Sequence, residues 1–157
     1  MSETLQAEQK VFLVVAEDSE GFDTSLRTAA ALANDHKGRV GIFYAASDAE
    51  FQQWGGIQDK IRDEVRQNAE KFVWSIAKKV QNFHDKMPVI YIEMGDNLDM
   101  LLKTINSDEN ISMLIMPVGC NKDSNAYAQK IIVKSKIPVL IVDTAMDIDK
   151  ITKIFKG

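Results

Sequence analysis

Two uninterrupted apolar segments in the second half of the chain limit most strongly which fold it can adopt. They span residues 111–117 and 138–143. Neither alternates apolar with polar residues, which is typical of parallel strands buried on both faces, so we predict that both are central strands. Between them the composition predicts a polar loop at 118–125 and a helix at 126–136, with Ile131, Ile132 and Ser135 on one face. The stretch is therefore a predicted βαβ unit.

Three further apolar runs predict strands at residues 11–16, 39–46 and 88–94. A helix follows the first of them, and Gly38 supplies its stop. Its N-cap candidates are Asp23, Thr24 and Ser25. Its apolar stripe is formed by Leu26, Ala29, Ala30 and Ala33.

Residues 57–83 carry apolar side chains at steps of four and three, which predicts one long amphipathic helix. A helix of roughly 30 residues at 1.5 Å each would run about 45 Å, so we expect one end to project or to pack on another subunit. The alternative is a shorter helix whose first turns are loop.

Asp96 or Asn97 caps the next predicted helix. Its inward residues are Leu98, Leu101, Leu102 and Ile105. We expect residues 1–9 to be disordered and 144–157 to form a C-terminal amphipathic helix. Strands that alternate with helices predict one α/β domain over residues 1–157, with an open doubly wound parallel sheet and helices on both faces.

Composition excludes several function classes. The net charge of -4, with basic residues scattered among 23 acidic ones, argues against a nucleic-acid partner. The single cysteine, Cys120, rules out an intramolecular disulfide and fits a reducing compartment. No apolar run reaches membrane-spanning length and residues 1–10 contain no apolar signal core, so we predict a cytoplasmic protein without a membrane partner.

Common phosphate-binding motifs are missing from the sequence. It contains neither the Gly-x4-Gly-Lys-Ser/Thr loop nor Gly-x-Gly-x-x-Gly. A phosphorelay receiver would need an aspartate closing the third strand and a lysine after the fifth. Met94-Gly95 and Asp143-Thr144 stand there instead, so we reject that class.

Four short segments resemble the universal stress protein family, and the resemblance extends over nearly the whole chain. They are Val14-Val-Ala-Glu-Asp-Ser-Glu20, Ile92-Glu-Met-Gly-Asp96, Met113-Leu-Ile-Met116 and Ile137-Pro-Val-Leu-Ile-Val142. The resemblance implies five strands in the order 3-2-1-4-5, in the architecture of the adenine nucleotide alpha hydrolase-like proteins. It also implies a stress-response or regulatory role.

Family members that bind ATP carry Gly-x2-Gly-x9-Gly-Ser/Thr after the fourth strand, where the glycines let backbone amides approach phosphates. Counted forwards, those positions hold Pro117, Cys120, Lys130 and Ile131. Counted backwards from Pro138, the Gly-Ser pair falls on Asn125 and Ala126. Both alignments predict a degenerate loop and no bound cofactor. The alternative is a binder of AMP or another small adenine ligand, or of ATP with Mg²⁺.

If a residual pocket exists, the resemblance places it at the carboxyl edge of the sheet. Its candidate residues are Glu17, Asp18, Ser19, Ala45, Met116, Pro117, Gly119 and Cys120. Two adjacent carboxylates, Glu17 and Asp18, repel a triphosphate unless Mg²⁺ lies between them.

We predict no catalytic residue and no metal site. Cys120 has no base near it in sequence, although an enzyme that uses Cys120 or hydrolyses ATP stays a third class. His36 and His84 lie near predicted helix C-termini, where a solvated or dipole-pairing imidazole is the usual explanation. The acids that could converge on a hard cation, more simply read as solvated or capping groups, are Glu17, Asp18, Asp96 and Asp123.

The family commonly forms homodimers by antiparallel pairing of fifth strands. Here the pairing residues would be Pro138, Val139, Leu140, Ile141 and Val142. We therefore expect a homodimer that acts through dimerisation and contacts with a protein partner, and not through turnover.

Overall fold

Strands and helices alternate along the chain, as the apolar pattern predicts. The computed structural model describes residues 9–17, 19–46, 58–118, 122–143, 149–150 and 153, apart from the side chains of 20, 58–62 and 122–125. The elements are β1 (Val11–Val15), α1 (Glu20–Asp35), β2 (Arg39–Ala46), α2 (Gln58–Val80), β3 (Val89–Met94), α3 (Asn97–Ser107), β4 (Ile111–Pro117), α4 (Lys122–Lys134) and β5 (Val139–Val142).

All five strands form one parallel sheet in the order β3-β2-β1-β4-β5, which confirms the predicted doubly wound fold. In its centre, Val14 of β1 pairs with Ile42 on one side and Ile115 on the other. The prediction that both late apolar runs are central is wrong for β5, which is an edge strand. Its sequence reads as central because both its faces are covered: Leu140 and Val139 pack into opposite core clusters.

Right-handed crossovers place two helices on each face of the sheet. Helices α1 and α2 cover one face, where they pack on Val14 and Ile42. Helix α3 and α4 residues pack with Leu13 and Phe43 on the other face. The chain therefore changes face between β3 and β4, and this reversal fixes where a ligand crevice can lie.

Helix α1 begins earlier than its sequence suggests. Its N-cap is Ser19, so the predicted caps Asp23, Thr24 and Ser25 lie inside the helix and that prediction is wrong. Thr24 and Ser25 are buried, and the Ser25 hydroxyl donates to the carbonyl four residues earlier at 3.4 Å. Such back-bonding lets small hydroxyl side chains occupy a buried helical turn. The predicted stripe of Leu26 and three alanines is confirmed, since each is at most 1% exposed.

Two residues, Lys37 and Gly38, end helix α1, whereas the sequence suggested only Gly38. Lys37 adopts the left-handed conformation, with φ 55°, and the Gly38 amide donates to the Ala33 carbonyl at 2.8 Å. This is the usual hydrogen bond of a helix that ends in a Schellman motif. Gly38 is required for space instead, because a Cβ there would lie 2.4 Å from the Lys10 carbonyl oxygen.

Helix α2 is shorter than the predicted 57–83, and residue 57 lies outside the described chain. Its 23 residues span about 34 Å at 1.5 Å per residue. The first buried side chain among those described is Ala69, whereas residues 63, 64 and 66–68 are exposed. The N-terminal part of α2 thus contributes little to the core, and its packing on another subunit stays a prediction.

Helices α3 and α4 hold the remaining apolar faces. Asp96 caps α3, as predicted, by accepting from the Asp99 amide at 3.0 Å. Helix α4 begins at Lys122, four residues before the predicted start. Ile131 is fully buried, but Ile132 is 48% exposed, so the prediction that they share one inward face is wrong. Consecutive helical residues differ by about 100°, and the face set by Ile131 leaves its neighbour outside.

The two helix-end histidines differ in environment. His36 is exposed, whereas His84 is only 6% exposed, so the prediction of a solvated or dipole-pairing imidazole is wrong for His84. Its Nδ1 lies 2.5 Å from the Asn34 side-chain oxygen, and the Asn34 amide group donates to the Phe83 carbonyl at 2.9 Å. These contacts join the C-terminal ends of α1 and α2.

Of the predicted C-terminal helix, only Asp149, Lys150 and Lys153 are described, and all three are helical. Of the residues 1–9 that we expected to be disordered, 1–8 lie outside the described chain. None of the described helices has both the length and the apolarity needed to cross a membrane.

Candidate functional site

The crevice of this sheet lies at the carboxyl ends of β1 and β4, its central neighbouring strands. Beyond β1 the chain continues to β2 on one side, and beyond β4 it continues to β5 on the other. The loops that leave the two strands therefore separate and open a space between them. Predicted site residues from both loops meet at this edge: Glu17 and Ser19 after β1, Pro117 at the end of β4.

The exit of β1 places one carboxylate over the sheet. The Ala16 amide is held by the Phe43 carbonyl at 2.7 Å, which fixes the direction in which Glu17 leaves the strand. Partial burial raises the pKa of Glu17, and the hydrogen bond from the Ser19 side chain opposes that rise. Ser19 is the N-cap of α1 in an extended conformation, but its side chain makes no capping hydrogen bond.

The exit of β4 has few amides to offer a ligand. Pro117 has no N–H, and the Val118 amide donates to the Val142 carbonyl at 2.8 Å. The side chain of Met116 is buried at 6% exposure and belongs to the core. Thus the first two positions that could face a phosphate are already unable to donate. The predicted residues Gly119 and Cys120 lie outside the described chain, as does Asp18.

Some backbone groups at the end of β2 already form hydrogen bonds within the protein. Ala46 is fully buried, and its carbonyl accepts the Gly95 amide at 2.9 Å. Gly95 has a φ of +146°, a conformation that glycine adopts readily and other residues do not. The neighbouring Ala45, a predicted site residue, is half-buried among the residues packed on the α3 and α4 face.

Tyr127 and Asn97 are members of this edge that the sequence interpretation missed. The Tyr127 hydroxyl donates to the Asn97 side-chain oxygen at 3.0 Å and so joins the start of α3 to the second turn of α4. Burial raises the pKa of Tyr127 strongly, and the nearby carboxylates of Asp96 and Glu17 raise it further. Its position one turn before the inward Ile131 was the available signal, because residues i and i+4 share a helix face.

The edge is acidic where it is described. Glu17 and Asp96 both act on Tyr127, and no described cation is ion-paired with either of them. No three side chains of the His, Cys, Asp or Glu type come together as a metal site anywhere in the described part of the chain. Asp123, the fourth acid considered for a cation, has an undescribed side chain. The described part of this edge therefore presents hydrogen-bond acceptors and an aromatic hydroxyl.

Comparison with protein-family models gives no match, and comparison with curated proteins gives none. Solved structures do match. A universal stress protein family member from Burkholderia pseudomallei has a TM-score of 0.65 and 17% sequence identity, over 86% of this chain and 96% of its own. A universal stress protein from Archaeoglobus fulgidus in complex with dAMP gives 0.64 and 15%, over 85% and 96%. One in complex with cAMP gives 0.63 and 15%, over 88% and 99%.

These likenesses extend over most of each chain, so the chain has the universal stress protein fold. Sequence identities this low establish the fold and no more. The predicted strand order and α/β class are confirmed on both counts, by the sheet itself and by its neighbours.

Proposed function

We propose that the chain is a universal stress protein-like regulatory protein that acts as a homodimer, through contacts with a protein partner and without turnover. We infer that it works in the cytoplasm during a stress response. The observation that carries this proposal is the apolar outer edge at β5. An edge strand with an exposed apolar side chain favours pairing with another strand.

The geometry of β5 supports that pairing. The Pro138 carbonyl accepts the Leu114 amide of β4 at 3.0 Å, and the Val142 carbonyl accepts the Val118 amide just after β4 at 2.8 Å, so Pro138 and Val142 direct their backbone groups inward. Backbone direction alternates along a strand, which turns the amides and carbonyls of Val139 and Ile141 outward. Ile141 is also 40% exposed, so one residue presents both backbone and side chain to a partner strand.

Helix α4, which precedes β5, adds apolar surface. Ile132 is 48% exposed and Val133 82% exposed. Two β-branched aliphatic residues on the outside of one helix are unfavourable in water unless they are covered in an assembly. They support a protein contact on this side of the sheet.

Light scattering after size-exclusion chromatography tests the dimer. We expect twice the 17.6 kDa chain mass. Ile141→Glu places a charge at the paired edge and should shift the mass towards monomer. Met87→Glu is the matched control, because Met87 is 45% exposed but precedes β3 at the opposite edge. A monomer mass that does not depend on concentration would refute the proposal, and so would equal effects of the two variants.

Two backbone positions at the end of β4 support a role without turnover. Pro117 lacks an amide hydrogen, and the Val118 amide is engaged by Val142, so the β4 exit begins with two positions that cannot cradle a phosphate. We expect purified protein to release no phosphate from ATP. Release above a protein-free blank that survives repeated purification would overturn this part of the proposal.

The second candidate function is binding of AMP or another small adenine ligand at the carboxyl edge. It is favoured by the two neighbours whose structures contain dAMP and cAMP. In this chain the contacts would come from Glu17, Ser19 and the backbone at Ala45, with Met116, Pro117, Gly119 and Cys120 around them. Glu17 would accept from a ribose hydroxyl or the adenine amino group.

Thermal shifts with ATP, ADP, AMP and adenosine, each with and without Mg²⁺, separate the two functions. A saturable rise with AMP alone supports the second candidate, and Glu17→Ala should then abolish it. A saturable rise with ATP and Mg²⁺ contradicts the degenerate loop. No rise with any of the four leaves dimerisation as the function under test.

A further inference from the structure

A small open groove of about 80 Å³ lies between α1 and α2 near the carboxyl end of β1. Its floor is apolar and is formed by Phe22, Leu26, Phe72 and Ile76. Three of these are core residues with at most 6% exposure, and Phe72 stands edge-on to Tyr44 at 5.5 Å between ring centroids. Because these three residues are packed in the core, only a small part of each side chain faces the groove.

Opposite charges stand on the rim of this floor. Glu17 lines it from the β1 exit, and Lys79 lines it from α2. No ion pair within the described chain joins either of them to another residue. The third charged lining residue, Asp23, is already engaged by Arg27 at 3.1 Å. The groove therefore offers one carboxylate and one ammonium that are not paired with each other.

Two hydroxyl groups complete the rim. The Ser75 hydroxyl donates to the Phe72 carbonyl at 2.6 Å, which leaves its oxygen lone pairs as acceptors. Ser19 lies beside Glu17, whose pKa is raised by partial burial. A carboxylate that is partly removed from water gains more from an ammonium partner than a fully solvated one does.

We propose that this groove binds a small zwitterion, an amino acid whose ammonium contacts Glu17, whose carboxylate contacts Lys79 and whose aliphatic body covers the apolar floor. A simple anion would face the carboxylates of Glu17 and Asp23. A simple cation would face Lys79. Only a molecule with both charges satisfies the two ends of the groove, and the floor requires carbon between or beside them. This inference goes beyond the proposed dimer, because the groove lies between α1 and α2 and not at β5. It shares Glu17 and Ser19 with the second candidate function but requires a ligand of different chemistry, so titration with the amino acids and with AMP tests the two separately.

Amide chemical shifts recorded during titration of the full chain test the inference. The probes are L-leucine, an α-amino acid, and 5-aminopentanoate, in which the two charges are farther apart. We expect saturable shifts of groove residues with one of them, at a Kd of about 1 mM or below. Which of the two compounds binds shows whether the groove accepts adjacent or separated charges. The singly charged analogues isopentylamine and pentanoate should bind at least about tenfold more weakly.

Variants decide whether the groove is responsible. Glu17→Gln and Lys79→Met should each weaken binding about tenfold or more. Lys78→Met is the matched control, since Lys78 is the adjoining exposed lysine of α2 and does not line the groove. All three residues are exposed, so the fold should be retained, which the amide spectrum itself reports. Three results overturn the inference: no saturation with either zwitterion, equal binding of a singly charged analogue, or equal loss in Lys78→Met.

Discussion

Replacing Gly38 by alanine should destabilise the protein, because the added Cβ would clash with a backbone carbonyl that cannot move freely. A Cβ at this position would lie 2.4 Å from the Lys10 carbonyl oxygen and 3.0 Å from the Phe12 ring. The same carbonyl accepts the Arg39 amide at 2.8 Å, so it cannot turn away without losing that hydrogen bond. The start of β1 or β2 must shift by at least about 0.6 Å to reach the 3.0 Å below which Cβ contacts are essentially never found.

The expected magnitude follows from three effects. Overpacking of this kind typically costs about 1–3 kcal/mol. Weakening the hydrogen bond between Arg39 and Lys10 adds about 1 kcal/mol. Alanine restricts the unfolded chain relative to glycine, which offsets about 0.4–1 kcal/mol. We therefore expect the free energy of unfolding to fall by about 1–3.5 kcal/mol and Tm by about 2–14 °C for a chain of this size.

The neighbouring residue supplies a control of opposite sign. Lys37 has a φ of 55°, which costs a residue with a Cβ about 1–2 kcal/mol. Lys37→Gly removes that cost and gives back about 0.4–1 kcal/mol through the greater freedom of the unfolded chain. We expect a net stabilisation of at most about 1.5 kcal/mol.

Urea unfolding followed by circular dichroism measures both variants. All proteins should be compared at one chain concentration, because dimerisation would make stability depend on concentration. The urea dependence of the unfolding free energy should be the same in each, which shows that the same surface becomes exposed. If Gly38→Ala leaves stability unchanged, the claim that residue 38 has no room for a side chain is refuted. If Lys37→Gly is destabilised, the claim that the left-handed conformation of residue 37 costs stability is refuted.

Three further predictions concern buried groups. Burial lowers the folded-state pKa of His84 below its unfolded value of 6.5, and Lys86 and Arg39 act in the same direction. The contribution of His84 to stability is therefore full above pH 6.5 and is lost as the pH falls through the folded-state pKa. The decline in Tm from about pH 8 to about pH 5.5 should be smaller in His84→Gln. Tyr91→Phe removes the 2.6 Å hydrogen bond to the Asp108 carboxylate and should cost about 1–2 kcal/mol in urea unfolding, whereas an unchanged midpoint would assign that bond no net value. Leu101→Ala empties a site with 0% exposure and should cost about 2–5 kcal/mol, a loss that Leu101→Met should largely avoid.

Much of the fold could be predicted from local pattern. The bounds of β2 and β4 agree with the sequence, and the stripe on α1 is buried as its periodicity indicates. The errors share one cause, which is that contacts with distant residues decide local details. Helix α1 begins at Glu20 because β1 ends before it, although later residues are equally good caps. Strand β5 has the sequence of a central strand because helices cover both its faces. Its edge position depends on which strands pair along the sheet, and local sequence does not record that pairing.

The candidate site could be predicted only in part. The position of Glu17, Ser19 and Pro117 follows from strand ends, which apolar runs mark in the sequence. Tyr127 could not be assigned in this way, because its partner Asn97 is 30 residues away. The use of the Val118 amide by Val142 is equally invisible, since backbone groups carry no sequence signal.

The sequence by itself determined the order and type of the elements, because periods of 2 and 3.6 and continuous apolar runs record how each segment is buried. It also determined that the β4 exit begins with a residue that has no amide hydrogen. Only the tertiary structure decided which strand forms the edge, how His84 meets Asn34 across 50 residues, and which charges border the groove between α1 and α2. These depend on which surfaces meet in space, and the same local pattern is compatible with many such arrangements.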